Sequence, residues 1–299
     1  MPHSLDLNTS LRKAFASGLP QLPEIEPHLR DALLQTLNHP GSMVRAQMAF
    51  EIATHFALPE GHAQNLAIAI EYFHTASLIF DDLPCMDDAA KRRGEPCVHR
   101  VQGDATAILA ALGLINRAYA LAWQAIQCAP AEKHQPASDY LEKCLGIGGV
   151  LNGQSQDIHY ATLPENDRAP QKVALGKTVA LIRLSLVLPA LLGGANESER
   201  LLLERLAMFW GLSYQIIDDL KDIFSQPEMI GKTAARDKLL NRPNVALKAG
   251  TKPAFRRLER LLCLGDCTLR RLSGRQPGLF FLHQLRARFT EELAGFQPA

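Results

Sequence analysis

The residues best suited to chemistry are two groups of aspartates that close strongly apolar stretches. The first reads Phe80-Asp81-Asp82-Leu83-Pro84-Cys85-Met86-Asp87-Asp88 and runs on to Lys91-Arg92-Arg93. The second reads Tyr214-Gln215-Ile216-Ile217-Asp218-Asp219-Leu220-Lys221-Asp222. The C-terminal end of a helix favours cations, so carboxylates gathered there are electrostatically misplaced. Crowded carboxylates also repel one another and resist ionisation. A divalent cation would compensate both effects. Asp218 and Asp222 are four apart, about 40° around a helix, and so share one face. Asp81 and Asp87 are six apart, about 120° off on a regular helix, but Pro84 lies between them and a terminal turn there could swing Asp87 back. Sparse oxygen-only ligands suit magnesium, which keeps several waters and shares its shell with substrate phosphates, whereas the loop pattern of a calcium site is missing. With Arg92, Arg93, Lys177 and Lys232, the whole describes a diphosphate site. One Asp-Asp pair would read as a solvated turn. Two groups with the same apolar-acidic order, each followed by basic residues, do not.

The stretches that must position these groups have helical spacing. Asn65 to Phe80 sets Leu66, Ile70, Phe73 and Ser77 on one stripe, and Ala105 to Ile126, Val173 to Leu192 and Leu201 to Ile217 repeat apolar residues every three or four positions. Strand alternation is almost absent. Punctuation falls between these blocks at Pro40-Gly41, Pro59 to Gly61, Gly94 to Pro96, Pro130, Pro164 to Pro170, Gly193-Gly194, Pro227 and Pro243, and Asn196 or Ser198 could cap the helix that follows the glycines. Several stretches are apolar nearly all round, which predicts a central helix surrounded by others. With no internal repeat or biased linker, residues 1–299 read as a single all-α domain.

Composition bounds the rest. The chain has 299 residues, 47% hydrophobic and 21% charged, which excludes disorder. Lys+Arg 32 against Asp+Glu 31 leaves a net charge of +1, with no general attraction for nucleic acid or an anionic membrane, so phosphate binding must come from local clusters. No stretch approaches the roughly 18 uncharged apolar residues of a membrane span, and MPHSLDLNTS is no signal peptide, so a cytoplasmic protein is expected. The six scattered cysteines read as reduced thiols, and Cys263, Cys267 and His283 as packing rather than a zinc site.

The segments His74 to His99, Gly148 to Ile158 (GGVLNGQSQDI), Gly176 to Ile182 (GKTVALI), Gly211 to Asp222 and Gly231 to Asp237 (GKTAARD) stand in the order found in trans-isoprenyl diphosphate synthases, which the chain resembles over about residues 40–245. Within that family it is most similar to geranylgeranyl diphosphate synthases. The resemblance implies an all-α helical bundle around a deep central cavity, usually a homodimer. It implies three magnesium ions held by Asp81, Asp82, Asp87, Asp218, Asp219 and Asp222. Arg92, Lys177 and Lys232 would grip the diphosphate of an allylic substrate, whose departure leaves a carbocation steadied by Thr178 and Gln215. Isopentenyl diphosphate would then attack, with no protein nucleophile required. Gln154 and Asp157 read equally as a helix-packing pair or as support for the metal shell.

The resemblance puts Arg45, His74, Arg93 and His99 in the isopentenyl diphosphate site. There the chain departs from the family's GGKRxRP-like segment: Ser42 stands at the lysine and Met43 at the adjacent arginine. Losing one charge-assisted contact costs about 1.5–3 kcal/mol, so the site is weakened rather than abolished. In the family an aromatic residue four or five places before the first aspartate stops growth at fifteen carbons. Here Ala76 and Ser77 are small and Phe73 lies one turn deeper, about 5.4 Å, so a twenty-carbon product is expected. The weakened second site motivates an alternative, a terpene synthase acting on one allylic diphosphate. A non-catalytic subunit of a heteromeric synthase is disfavoured, because a chain that bound no metal would gain nothing from six mutually repelling acids.

Overall fold

The apolar stretches fold as the helices their spacing predicts. The computed structural model describes residues 2–20, 24–162, 169–224, 240 and 242–294. Within these, α1 (Pro2–Ser17), α2 (Pro27–Asn38), α3 (Val44–His55) and α4 (Glu60–Asp82) lead to a two-residue antiparallel hairpin, β1 (Lys91–Arg92) and β2 (Glu95–Pro96). Next come α5 (Val98–Gln102), α6 (Asp104–Cys128), α7 (Ala131–Leu145), α8 (Val150–Ile158) and α9 (Ala169–Ala174). A single wide π-turn, Leu175–Val179, joins α9 to α10 (Ala180–Leu192). The described chain closes with α11 (Glu197–Phe224), α12 (Val245–Ala249), α13 (Thr251–Arg275) and α14 (Phe281–Ala294).

The predicted central helix is α10, in which every residue but Arg183 is buried. It packs on α3, α4, α7 and α11. Arg183 reaches Glu204 at 2.9 Å, and Glu204 also accepts the Tyr140 hydroxyl at 2.6 Å, so the one charge on that helix is neutralised. Of the two capping candidates, Asn196 makes the cap: its side chain accepts from Glu199 N while Glu199 accepts from Asn196 N, a reciprocal capping box.

Two helical runs reach spanning length and hydropathy, contrary to expectation: Asp104–Cys128 and Ala169–Leu192. The first is interrupted only by Arg117, whose Nε donates to the Gly18 carbonyl at 2.7 Å. The second is mostly buried as the core helix.

The helix α8 approaches the π-turn backbone to backbone. A Cβ on Gly153 would stand 2.3 Å from the Lys177 nitrogen, and one on Gly176 2.7 Å from the Gly153 Cα. Only glycine permits this approach. Gly153→Ala is therefore expected to lower the free energy of unfolding by about 1–3 kcal/mol and to reduce turnover with it. A urea midpoint and rate equal to the parent's would refute that packing.

Candidate active site

Both acidic groups face one cavity of about 460 Å³. Asp81 ends α4, and beyond the Leu83 cap the chain doubles back so that Asp87 N donates to the Asp81 carbonyl at 2.9 Å. The turn thus brings Asp87 beside Asp81, as Pro84 allowed. Across the cavity α11 presents Asp218 and Asp222, and Arg45, His74, Arg92, Arg93, Lys177, Thr178 and Gln215 complete much of the wall.

The first-group carboxylates are held by partners from other segments. Gln154 Nε2 donates to Asp81 Oδ1 at 2.6 Å, leaving Oδ2 3.8 Å from Lys177 Nζ. Arg242 donates to Asp87 Oδ1 at 2.9 Å and to the Met86 carbonyl at 3.1 Å. Lys177 donates to Asp157 Oδ2 at 2.7 Å. The alternatives for Gln154 and Asp157 thereby close in favour of support for the acidic shell. Burial pushes the Asp81 carboxyl up to about 6, against the opposing pull of Lys177. Burial alone would lower Lys177, but Asp81 and Asp157 outweigh it and keep the ammonium charged.

The second aspartate of each pair has a different part. Asp82, 5% exposed, lies outside the cavity lining and receives Arg92 Nε at 3.0 Å on Oδ1 and 3.3 Å on Oδ2. Asp219, 1% exposed, accepts Val245 N at 2.7 Å and Gln215 Nε2 at 2.9 Å. Asp82 thereby aims Arg92, while Asp219, which also lines the cavity, fixes Gln215. Adjacent helical residues point about 100° apart, so Asp81 lines the cavity while Asp82 does not, whereas Asp218 and Asp219 both reach it. Gln215 in turn accepts the Thr178 hydroxyl at 2.6 Å, which sets both cavity side chains.

The donor set fits a hard divalent ion, being carboxylate oxygen throughout, with Asp87 Oδ2 making no hydrogen bond among the described residues. Among the described residues no three acidic, His or Cys side chains close on a single point. Ions here would have to be shared across the cavity with a substrate's own oxygens. Lys232 lies outside the described residues.

A second cationic patch adjoins the first. Arg45 Nη1 stands 3.3 Å from His74 Nε2, and Arg93 Nη1 donates to the His39 carbonyl at 2.8 Å. Burial and the nearby Arg45, Arg93 and Arg92 hold His74 well below the usual imidazole range, so it is neutral and accepts from Arg45. Ser42 lines the cavity, whereas Met43 is wholly buried with a φ of 59°. Only Ser42 therefore costs the patch a cation.

His99 does not join the patch. It is buried on α5, which packs on α2 and α6, and it does not line the cavity. The apolar end of the cavity is formed by Ser77, Leu78 and Leu181. The Ser77 hydroxyl turns back to the His74 carbonyl, while Ala76 and Phe73 lie in the core, with Phe73 edge-on to Tyr119 at 4.9 Å between ring centres. Sequence reasoning missed Arg242, whose side chain is 7% exposed, because only the fold brings it to Asp87.

The polyprenyl synthetase family model matches residues 26–262. The chain belongs to that family. The chain is 33% identical over 238 residues to the heterodimeric geranylgeranyl pyrophosphate synthase large subunit 1 of Arabidopsis thaliana, covering 78% of this chain and 63% of that protein. It is 32% identical over 210 residues to the geranylgeranyl pyrophosphate synthase of Catharanthus roseus, covering 70% and 59%. The matched part thus spans about six-tenths of these relatives' length. Its fold is that of the Helicobacter pylori geranyltransferase complexed with magnesium and isoprenyl diphosphate, with a TM-score of 0.83, 23% identity and 95% of each chain covered. The FPP/GFPP synthase of Zymomonas mobilis gives a TM-score of 0.76 at 24% identity, with 97% and 95% covered.

The Arg92–Asp82 pair yields a clear test. Arg92→Ala leaves a buried carboxylate unpaired and should lower stability by about 3–5 kcal/mol. Equal midpoints for parent and Arg92→Ala would refute the supporting role of Asp82.

Proposed function

We propose that this polyprenyl synthetase is a magnesium-dependent trans-prenyltransferase joining an allylic diphosphate to isopentenyl diphosphate. The observation that carries the reading is the convergence of Asp81, Asp87, Asp218 and Asp222 on one cavity that also holds two cationic patches. Its curated relatives are named geranylgeranyl pyrophosphate synthases, which supports the same chemistry.

Arg92, Lys177 and Arg242 bind the allylic diphosphate from the side of the first acidic group. Magnesium, when bound by Asp81, Asp87, Asp218 and Asp222, supplies positive charge against the leaving diphosphate. Three ions are part of this proposal. Thr178 and Gln215, locked to each other and to Asp219, turn fixed dipoles toward the carbon that becomes cationic. Arg45, Arg93 and neutral His74 orient isopentenyl diphosphate for attack. The leaving diphosphate takes the proton, so no side chain is needed as base.

We further propose a twenty-carbon product. A chain of that length passes Ser77 and stops on Phe73, which Tyr119 backs. Product analysis from dimethylallyl, geranyl and farnesyl diphosphates, each with and without isopentenyl diphosphate, tests both proposals. The expected result is elongation to geranylgeranyl diphosphate only with both substrates, its loss in EDTA, and a shift to farnesyl diphosphate in Ser77→Phe. Hydrocarbon or alcohol from an allylic diphosphate alone would indicate a terpene synthase instead. An unchanged product in Ser77→Phe would remove the floor assignment.

A homodimer completes the proposal, through the outer face of α6. Leu109, Leu112, Tyr119 and Trp123 there are each about half exposed, an apolar stripe too long for ordinary solvent contact. Leu109→Glu with Leu112→Glu should convert a dimer to monomer by light scattering. A dimer that survives both changes uses another face.

A further inference from the structure

The charge of the chain is nearly balanced overall but unevenly placed. Thr251–Arg275, the helix α13, carries seven of the 32 Lys and Arg residues and two of the 31 Asp and Glu. That gives +5 on one helix and −4 on the rest of the chain. Lys252, Arg256, Arg260, Arg270, Arg271 and Arg275 are all exposed. At 100° per residue they fall on one side of the helix, with Cys263, Leu264 and Cys267 among them. The opposite side carries Ala254, Leu258, Leu262, Leu269 and Leu272 into the core. Twenty-five residues make a straight basic strip about 37 Å long.

This strip is not consumed internally. Asp266 is paired with Arg286 at 2.6 Å, and Arg257 is occupied by Gln171 at 2.6 Å. Among the described residues, Lys252, Arg256, Arg260, Arg270 and Arg271 make no ion pair. Six cations on one flank repel one another, so an external surface of negative charge would stabilise the strip.

We propose that the outer face of α13 docks on an anionic lipid surface. Phosphate-bearing headgroups in a plane match a straight row of cations, each strengthening attachment near a negatively charged leaflet. The strip has no aromatic or amide side chain to stack on or read bases, which sets it apart from a nucleic-acid platform. Leu264, 40% exposed in its middle, suits a surface with an apolar layer beneath the headgroups. The strip also has a useful position. The helix α13 runs antiparallel to α11, with Phe255 by Phe224, Gly265 against Trp210 and Arg275 bonded to Ser198. Its Lys252 to Arg260 end therefore lies along the last turns of α11, which carry Asp218 and Asp222 on another face. Docking depends only on the surface charge and does not rest on the proposed reaction.

Co-sedimentation of the full chain with vesicles tests the proposal. Binding to phosphatidylcholine vesicles containing 30% phosphatidylglycerol should exceed binding to pure phosphatidylcholine by more than tenfold and vanish at high salt. The triple variant Arg256→Glu, Arg260→Glu, Arg271→Glu should lose that binding at least tenfold while keeping the parent's thermal midpoint and turnover on soluble substrates. The milder triple alanine variant should fall between the two. Equal affinity for neutral and anionic vesicles, full binding by the reversed variant, or tighter binding to homopolymeric RNA than to anionic vesicles would each overturn it.

Discussion

The structure depends on keeping carboxylates together in a partly buried cavity where they repel. Coulombic repulsion at these separations is weak in water but grows as solvent is excluded. Burial is the main cause that raises the Asp81 carboxyl, and the charges of Asp87 and Asp157 add to it. The chain answers with partners drawn from different segments: the Gln154 amide from α8 and the Lys177 ammonium from the π-turn for Asp81, and Arg242 from the approach to α12 for Asp87. Distant parts of the sequence are thereby committed to one location.

The surrounding helices keep that arrangement rigid. The buried α10 anchors the π-turn, and the glycine contact with α8 brings Asp157 and Gln154 within hydrogen-bond reach of their partners. On the far wall, Asn244 caps α12 and donates to the Asp219 carbonyl, while Val245 N donates to the Asp219 side chain. That small knot holds Gln215, and through it Thr178, without spending either on a structural contact elsewhere. Positioned dipoles of this kind need no rearrangement as charge develops, which is where catalytic sites gain most.

Much of this was legible before any coordinates. The helices followed from apolar spacing, because burial of one face dictates the period, and the return of Asp87 followed from Pro84 interrupting the ladder. That Asp82 turns away from the cavity while Asp219 stays on its wall was not legible: neighbouring residues offer two faces, and only the position of Arg92 and Val245 decides what each carboxylate meets. His99 was expected beside Arg45 and His74, but it is buried on α5 and does not line the cavity. Arg242 gave no signal at all, as its role exists only after α4 and the approach to α12 have met. Met43 stood where a cation was expected, yet its left-handed backbone buries the side chain, so the substitution matters less than the sequence alone suggested.

The wide turn at Leu175–Val179 separates two demands that a regular helix would fuse. Downstream, nearly every side chain of α10 has a fixed berth in the core, so that helix cannot rotate without emptying several of them. Upstream, Lys177 and Thr178 must aim at the cavity. A π-turn absorbs one additional residue, and with it an angular offset of about 100°, between those two registers. Shortening the segment by one residue would restore ordinary hydrogen bonding and still be ruinous, because either the core or the cavity would then be facing the wrong way.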